Sequence, residues 1–213
     1  ASVLLLDKRG FPRDKPCGGG VTLRATSVQD LDLSPVVERI IYGTRFSLRL
    51  GPHFDRLHDK PLAYMTQRRD LDAFLADRAA EAGAAFHDGE AVREIELGGA
   101  SPSVRPEHVE GPAHPEEPAA QRRASRRTSG ATTFRPPVTV RTDRNTYAAR
   151  ILIGADGANG LTGRATGLRS RYDEAVALEG VLPFPDDVPP DWRQHVALDL
   201  GGVAGGYGWV FPK

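Results

Sequence analysis

The hexapeptide Lys15-Pro16-Cys17-Gly18-Gly19-Gly20 sets the only cysteine of a 213-residue chain beside three successive glycines. It closely follows a short apolar run, Val3 to Leu6, that ends in Asp7. A backbone without Cβ atoms can come close to a flat or charged ligand. A carboxylate at the end of a strand can accept two hydrogen bonds from a ribose. Together the two features point to a dinucleotide site. Taken alone, Pro-Cys-Gly-Gly-Gly fits a loop around a structural cysteine equally well, because glycine serves turns readily.

Size and charge narrow the classes. A chain of this length buries one good core, or one domain and part of a second. Its 28 basic residues balance 28 acidic ones, so bulk charge argues for neither a nucleic acid nor an anionic membrane as partner. One cysteine cannot form an internal disulfide, which favours a reducing compartment or indifference to redox state. No apolar run approaches the ~20 residues that span a bilayer. The expectation is a soluble, cytoplasmic protein with no metal site. The first residues begin inside an element, with no G-x-G-x-x-G turn before them, and Tyr207 to Lys213 stops directly after a strand-like run. The sequence reads as the interior of a longer protein.

Periodicity supplies the elements. A helix is expected somewhere from Val21 to Asp32, a strand from Arg39 to Leu50 bent at Gly43, and another from Pro61 to Thr66. Leu71, Phe74, Leu75, Ala79 and Ala82 recur at helical spacing from Arg69 onward, and Gly83 is a natural stop. Ala84 to Phe86 and Ala91 to Leu97 read as short strands. From Gly99 to Gly130 five prolines accompany only two large apolar residues, Val104 and Val109, too few to offset the entropy of ordering. A disordered insertion is expected there, enlarging the turn of a hairpin between Glu90–Leu97 and Pro137–Thr142. Its cluster Arg122, Arg123, Arg126 and Arg127 reads as a solvated loop. Beyond it come a strand from Ala148 to Ile153, a helix near Leu161 to Thr166, and β-rich stretches at Ala175–Leu182, His195–Leu200 and Tyr207–Phe211.

A second constellation lies where Ile151-Leu152-Ile153 runs into Gly154-Ala155-Asp156-Gly157-Ala158-Asn159. Glycines let a chain turn tightly under a cofactor, and Asp156 can take ribose hydroxyls or organise amides near a pyrophosphate. Tyr207, Trp209 and Phe211 alternate, so they share one side of a strand. By pattern alone that side is a core face.

In this order the blocks Val3 to Lys8, Phe11 to Gly20, Arg68 to Leu75, Gly154 to Asn159 and Gly206 to Lys213 resemble the FAD-dependent geranylgeranyl reductase family, within the wider flavoprotein group that includes aromatic hydroxylases. The resemblance covers nearly everything except the Pro-rich insertion. It implies an α/β chain with an FAD/NAD(P)-binding Rossmann-like fold and an attached β-rich substrate domain, truncated at both ends. Residues 1–34 and 61–168 would form the FAD domain, with 99–130 as the insertion, and 35–60 with 169–213 the incomplete substrate domain. Asp7 would hold the adenosine ribose, and Cys17, Gly18 and Gly20 would lie along the flavin. Arg68 would contact the cofactor's phosphate or ribose, Val92 the adenine region, and Asp156 with Gly157 both FAD and the nicotinamide. Where the family often carries serine after the Gly-Ala-Asp-Gly-Ala-Asn block, this chain has Gly160.

The resemblance further implies that Tyr207, Trp209 and Phe211 line an apolar tunnel, with Cys17 the catalytic group beside the alkene. The expected reaction is reduction of C=C bonds in a geranylgeranyl or polyprenyl chain by NAD(P)H through FAD, with peripheral membrane contact through the lipid substrate. The alternatives are an FAD-dependent monooxygenase or halogenase on the same scaffold, and a non-catalytic truncated remnant. The isolated chain is expected to bind FAD weakly or not at all, because the helix after the first glycine-rich turn, on which the pyrophosphate normally rests, is absent here, and restoring an upstream strand, turn and helix is expected to rescue binding.

Overall fold

The computed structural model describes residues 2–28, 31–98, 138–168, 175–183 and 187–213, apart from the side chains of 27 and 28. The expected disordered insertion at 99–130 lies outside the described residues. In chain order the elements are β1 (Leu4–Leu6), β2 (Gly20–Thr22), α1 (Leu23–Val28), β3 (Arg39–Ile41), β4 (Gly43–Leu48), β5 (His53–Leu57), β6 (Ala63–Met65), α2 (Arg68–Glu81) and β7 (Ala85–His87). There follow β8 (Val92–Leu97), β9 (Val138–Thr142), β10 (Thr146–Ala149), α3 (Leu161–Ala165), β11 (His195–Leu200) and β12 (Tyr207–Val210). They fall into two compact units, Ala1–Ala91 with Tyr172–Lys213, and Val92–Arg171.

In the first unit β1 pairs in parallel with β7, as the sequence of strand, helix and strand requires of a crossover through α2. The helix buries Leu71 and Ala76, which stabilises it by roughly 1.5 to 3 kcal/mol for the leucine alone. It stops where Gly83 takes φ +95°, a conformation without steric penalty only for glycine, and the Ala84 N–H closes back on the Ala79 carbonyl at 3.0 Å. A second sheet has the order β2-β6-β3, all antiparallel, and centres on the fully buried Ile41 and Met65. A third has the order β12-β11-β4-β5, with β11 parallel to β4 and the outer pairs antiparallel. The second unit is the antiparallel sheet β10-β9-β8, with Val138 and Val140 buried and α3 packed against β8.

The mixed α/β class holds, as do the α2 helix and the hairpin that flanks the insertion, which is β8 against β9. Several element expectations need correction. The strand expected over Arg39–Leu50 is two strands in two different sheets. The chain changes sheet at Tyr42, whose N–H goes to the Gln194 carbonyl and whose carbonyl accepts from His58 N–H. Among the described residues the first helix is Leu23–Val28, and it starts later than expected because Gly20–Thr22 is drawn into a ladder with Met65–Ala63.

The strand expected to reach Ile153 ends at Ala149. Ile151 and Ile153 are 78% and 84% exposed, and no described strand offers them a ladder. Ala175–Leu182 is likewise not a strand, and Val176 and Leu178 lie almost wholly in solvent. β5 had no sequence signal, since every residue of His53–Leu57 is exposed and pairing with β4 alone defines it.

Where β4 meets β11, Gly43 sits opposite His195. A Cβ at Gly43 would stand 2.5 Å from His195 Nε2 and 3.1 Å from the Arg56 carbonyl oxygen, with His195 itself 4% exposed. Gly43→Ala should therefore cost about 2 kcal/mol through overpacking. Gly163→Ala, in α3 with open space around it, should be neutral or slightly stabilising. Urea denaturation of the two variants checks the contrast.

Candidate functional site

The glycine loop is anchored by contacts from several elements of the first unit. Gly19 is buried at φ +73°, and its carbonyl accepts hydrogen bonds from both Thr66 N–H and Thr66 Oγ1, each at 2.9 Å. Thr66 is fully buried, so both bonds are shielded from water. Gly18 lies so close to the ring of Phe211 that a Cβ would collide with it. Gly20 begins β2 against Met65. The loop therefore needs glycine at 18 for close approach and at 19 for backbone conformation.

Charge connects this loop to the end of β1. Asp7 is fixed there by Asp7 N–H to the His87 carbonyl and Glu90 N–H to the Asp7 carbonyl. Its Oδ1 accepts from Arg9 N–H at 2.9 Å, and its Oδ2 pairs with Arg13 Nη2 at 3.1 Å. The other arm of Arg13 reaches Asp72 Oδ2 at 3.0 Å. Asp72, with 9% of its side chain exposed, takes Arg68 in a bidentate fork at 2.8 and 2.9 Å. The fork is an i,i+4 pair on α2, aided by its planar geometry. Arg68 in turn faces the same cleft as Cys17, where its charge favours the thiolate. Arg13 also lies over the Phe11 ring at 4.8 Å, and Phe11 meets Phe86 edge-on at 5.1 Å.

Two clefts flank this ladder and share Arg68. One, of about 220 Å³, is lined by Asp7, Phe11, Arg13, Asp72 and Phe86 as well. The other, of about 260 Å³, is lined by Lys15, Cys17, Arg69, Glu179 and Lys213 as well. Burial pushes the Cys17 thiol up, but the Gly19 N–H and the Arg68 guanidinium outweigh it and leave the thiol below its ordinary value. Asp72 holds Arg68 protonated against its own burial.

The aromatic strand divides in its setting. Trp209 pairs with Leu198, Leu198 with Phe46, and Phe46 with Phe54, so all share one face of the four-stranded sheet. Phe46 and Phe54 stack at 5.2 Å, and the Tyr207 and Trp209 rings lie 5.8 Å apart. Tyr207, opposite Leu200, is 58% exposed. Phe211 lies past the end of β12 and turns onto Gly18. The other face carries Arg45, 8% exposed, forked onto Asp55, bonded to Asp191 at 2.7 Å and stacked 4.7 Å over Trp192.

Val92, Asp156 and Gly157 belong to the second unit. Val92 starts β8 opposite Thr142, beside a bulge. Asp156 Oδ2 accepts from Thr162 N–H at 2.9 Å and Thr162 Oγ1 at 3.1 Å. Burial pushes its carboxyl up, but these bonds outweigh that and hold it below the usual carboxylate range. Gly157 takes φ +79°, and a Cβ at Gly160 would run into the Asp156 carboxylate. A side chain at 160 is thus incompatible with this Asp156 conformation.

The first unit gathers Asp7, Cys17, Gly18, Gly20, Arg68, Tyr207, Trp209 and Phe211. Sequence reading missed Arg13, Asp72, Glu179 and the role of Lys213. The i,i+4 spacing of Arg68 and Asp72 on a readable helix was the available signal for one of them. The others are joined only by tertiary contact. Among the described residues no His, Cys, Asp and Glu cluster could hold a metal, and no helix is long and apolar enough to cross a membrane.

No family model matches the chain. The chloroplastic geranylgeranyl diphosphate reductase of Nicotiana tabacum is 26% identical over 219 residues, covering 98% of this chain and 40% of that protein. A menaquinone reductase of Mycolicibacterium smegmatis is 29% identical over 222 residues, covering 99% of this chain and 46% of that protein. A crystal structure of a geranylgeranyl bacteriochlorophyll reductase-like protein from Thermoplasma acidophilum superposes with a TM-score of 0.59 at 20% identity, over all of this chain and 47% of that one. This chain spans less than half the length of these proteins. Its mixed α/β fold is that of the Thermoplasma protein. In sequence the chain is similar to these reductases over nearly its whole length.

Two substitutions test the ladder. Asp72→Asn leaves two guanidiniums without their shared anion and should cost about 2 to 4 kcal/mol of stability, measured by chemical denaturation. Arg68→Met removes the cation at the thiol, so the pH midpoint for Cys17 alkylation by iodoacetamide should rise, because the thiolate is the reacting form.

Proposed function

We propose that the protein containing this chain uses FAD to reduce C=C bonds of a geranylgeranyl or longer polyprenyl chain, with NAD(P)H as reductant. The observation that carries this reading is the seating of the cysteine loop on the end of the aromatic strand, with Phe211 on Gly18 and Lys213 on the Cys17 carbonyl. A bare backbone, an acidic thiol and an apolar wall thereby belong to one connected structure. The names of the tobacco and mycobacterial relatives support a prenyl or quinone-type substrate.

The residues present fit a flavin dinucleotide. Asp7 uses two of its roughly four acceptor sites on Arg9 and Arg13, leaving capacity for ribose hydroxyls. Arg13 and Arg68 face the same cleft and suit a pyrophosphate. Gly20 leaves backbone bare, and Gly18, the Asp156–Gly157 turn and Val92 are the remaining proposed contacts. Residues 1–34 and 61–168 would serve the cofactor, and 35–60 with 169–213 the substrate. A bound flavin supplies two-electron transfer between a nicotinamide and an alkene.

The chain's own groups do the rest. Cys17 Sγ holds the proton for the second alkene carbon, and Arg68 stabilises the thiolate left behind. Trp209, Tyr207 and the Phe46 face bind a chain that offers only CH groups and double bonds, and exclude water from it. A substrate of this kind would bring the protein to a membrane surface peripherally.

Half-reactions of the full-length protein, followed by stopped flow, test the assignment. Trp209→Ala should slow alkene reduction about ten- to hundred-fold, roughly 1.4 to 2.7 kcal/mol, and leave flavin reduction by the nicotinamide near the parent rate. Cys17→Ser should also slow alkene reduction more than flavin reduction. Parent rates with a polyprenyl substrate in both variants would sink the reading, and substrate hydroxylation dependent on oxygen would then define the better one.

A further inference from the structure

Lys213 lies three residues past the end of β12, with only 13% of its side chain exposed. A lysine tolerates such burial when its ammonium is partnered. Its Nζ donates to the Cys17 carbonyl oxygen at 3.2 Å and stands 3.7 Å from Glu179 Oε1, whose own side chain is 18% exposed. The lysine stem also passes Gly19, where a Cβ would come within 3.4 Å of Lys213 Cε. With Phe211 against Gly18, the segment after β12 therefore touches three successive residues of the cysteine loop.

The charges around Cys17 follow from the same arrangement. Lys213 bonds the Cys17 carbonyl, and Arg68 and Glu179 face the same cleft as Cys17. Left unneutralised, the Glu179 carboxylate opposes a thiolate, and Arg68 favours one.

We propose that Lys213 is a positioning residue for Cys17, which it serves by fixing the Cys17 carbonyl and by neutralising Glu179, so that Arg68 is the charge the thiol meets. This inference rests on the reading of Cys17 as the group beside the reacting alkene. Lys213 touches neither the thiol nor the alkene in this scheme, and acts only through the loop and the carboxylate.

The test is the pH profile of Cys17 alkylation by iodoacetamide in the full-length protein, read peptide by peptide by mass spectrometry. Lys213→Met should raise the midpoint by about half a pH unit or more, because an unneutralised anion is left in the cleft. Glu179→Gln should lower it, the double variant should return toward the parent, and Lys213→Arg should restore most of the parent profile. A parent profile in Lys213→Met, or a double variant that stays as high as Lys213→Met alone, overturns the proposal. If Lys213→Met fails to fold, Glu179→Gln decides the matter, since a parent profile there also overturns it. Alkylation needs no substrate, so shifted profiles without polyprenyl reduction in the parent would reject the substrate reading and keep the role of Lys213.

Discussion

The Gly19 carbonyl, accepting two hydrogen bonds from the buried Thr66, is the contact on which the rest of the first unit depends. Thr66 follows β6 directly and precedes α2, so this one acceptor ties the glycine loop to the central strand of a sheet and to the start of the long helix. A left-handed Gly19 lets its carbonyl point there. Once the loop is fixed, Gly18 presents a surface flat enough for the Phe211 ring. The end of the four-stranded sheet then rests on the loop.

A second constraint is electrostatic. Arg13 and Arg68 would be costly neighbours without Asp72 between them, and Asp72, with 9% of its side chain exposed, is paired by both. The alternation Asp7, Arg13, Asp72, Arg68 settles all four and carries the ladder to the cysteine. Its geometry fixes the orientation of Arg68, which lines both clefts. The field at Cys17 is consequently set by residues from four separate parts of the chain, namely the loop after β1, α2, the stretch that holds Glu179 and the segment after β12.

Much of the fold was legible in local pattern. The α2 helix and its glycine stop, the hairpin of β8 and β9, and β11 and β12 follow from periodicity and turn residues, which need no knowledge of neighbours. Errors gathered where a neighbour decides. β5 is a strand only because β4 lies beside it, and Arg39–Leu48 is split because its two halves find partners in different sheets. Ile151 to Ile153 has the composition of a strand and no described partner, so composition alone misled.

The sequence by itself determined the chemistry on offer, which comprises one cysteine among glycines, a carboxylate closing an apolar run, an arginine at the start of a helix, and an aromatic strand ending in Phe-Pro-Lys. These signals depend on residue type and short spacing, which the chain carries wherever it goes. Only the tertiary structure decided which of them meet. It set Arg13 between two carboxylates, brought Glu179 and Lys213 to Cys17 across more than half the chain, and put Phe211 on Gly18. It also left Gly160 as the residue that makes room for the Asp156 carboxylate. Such contacts form between residues distant in sequence, and their partners are chosen by packing and charge compensation, which no local pattern encodes.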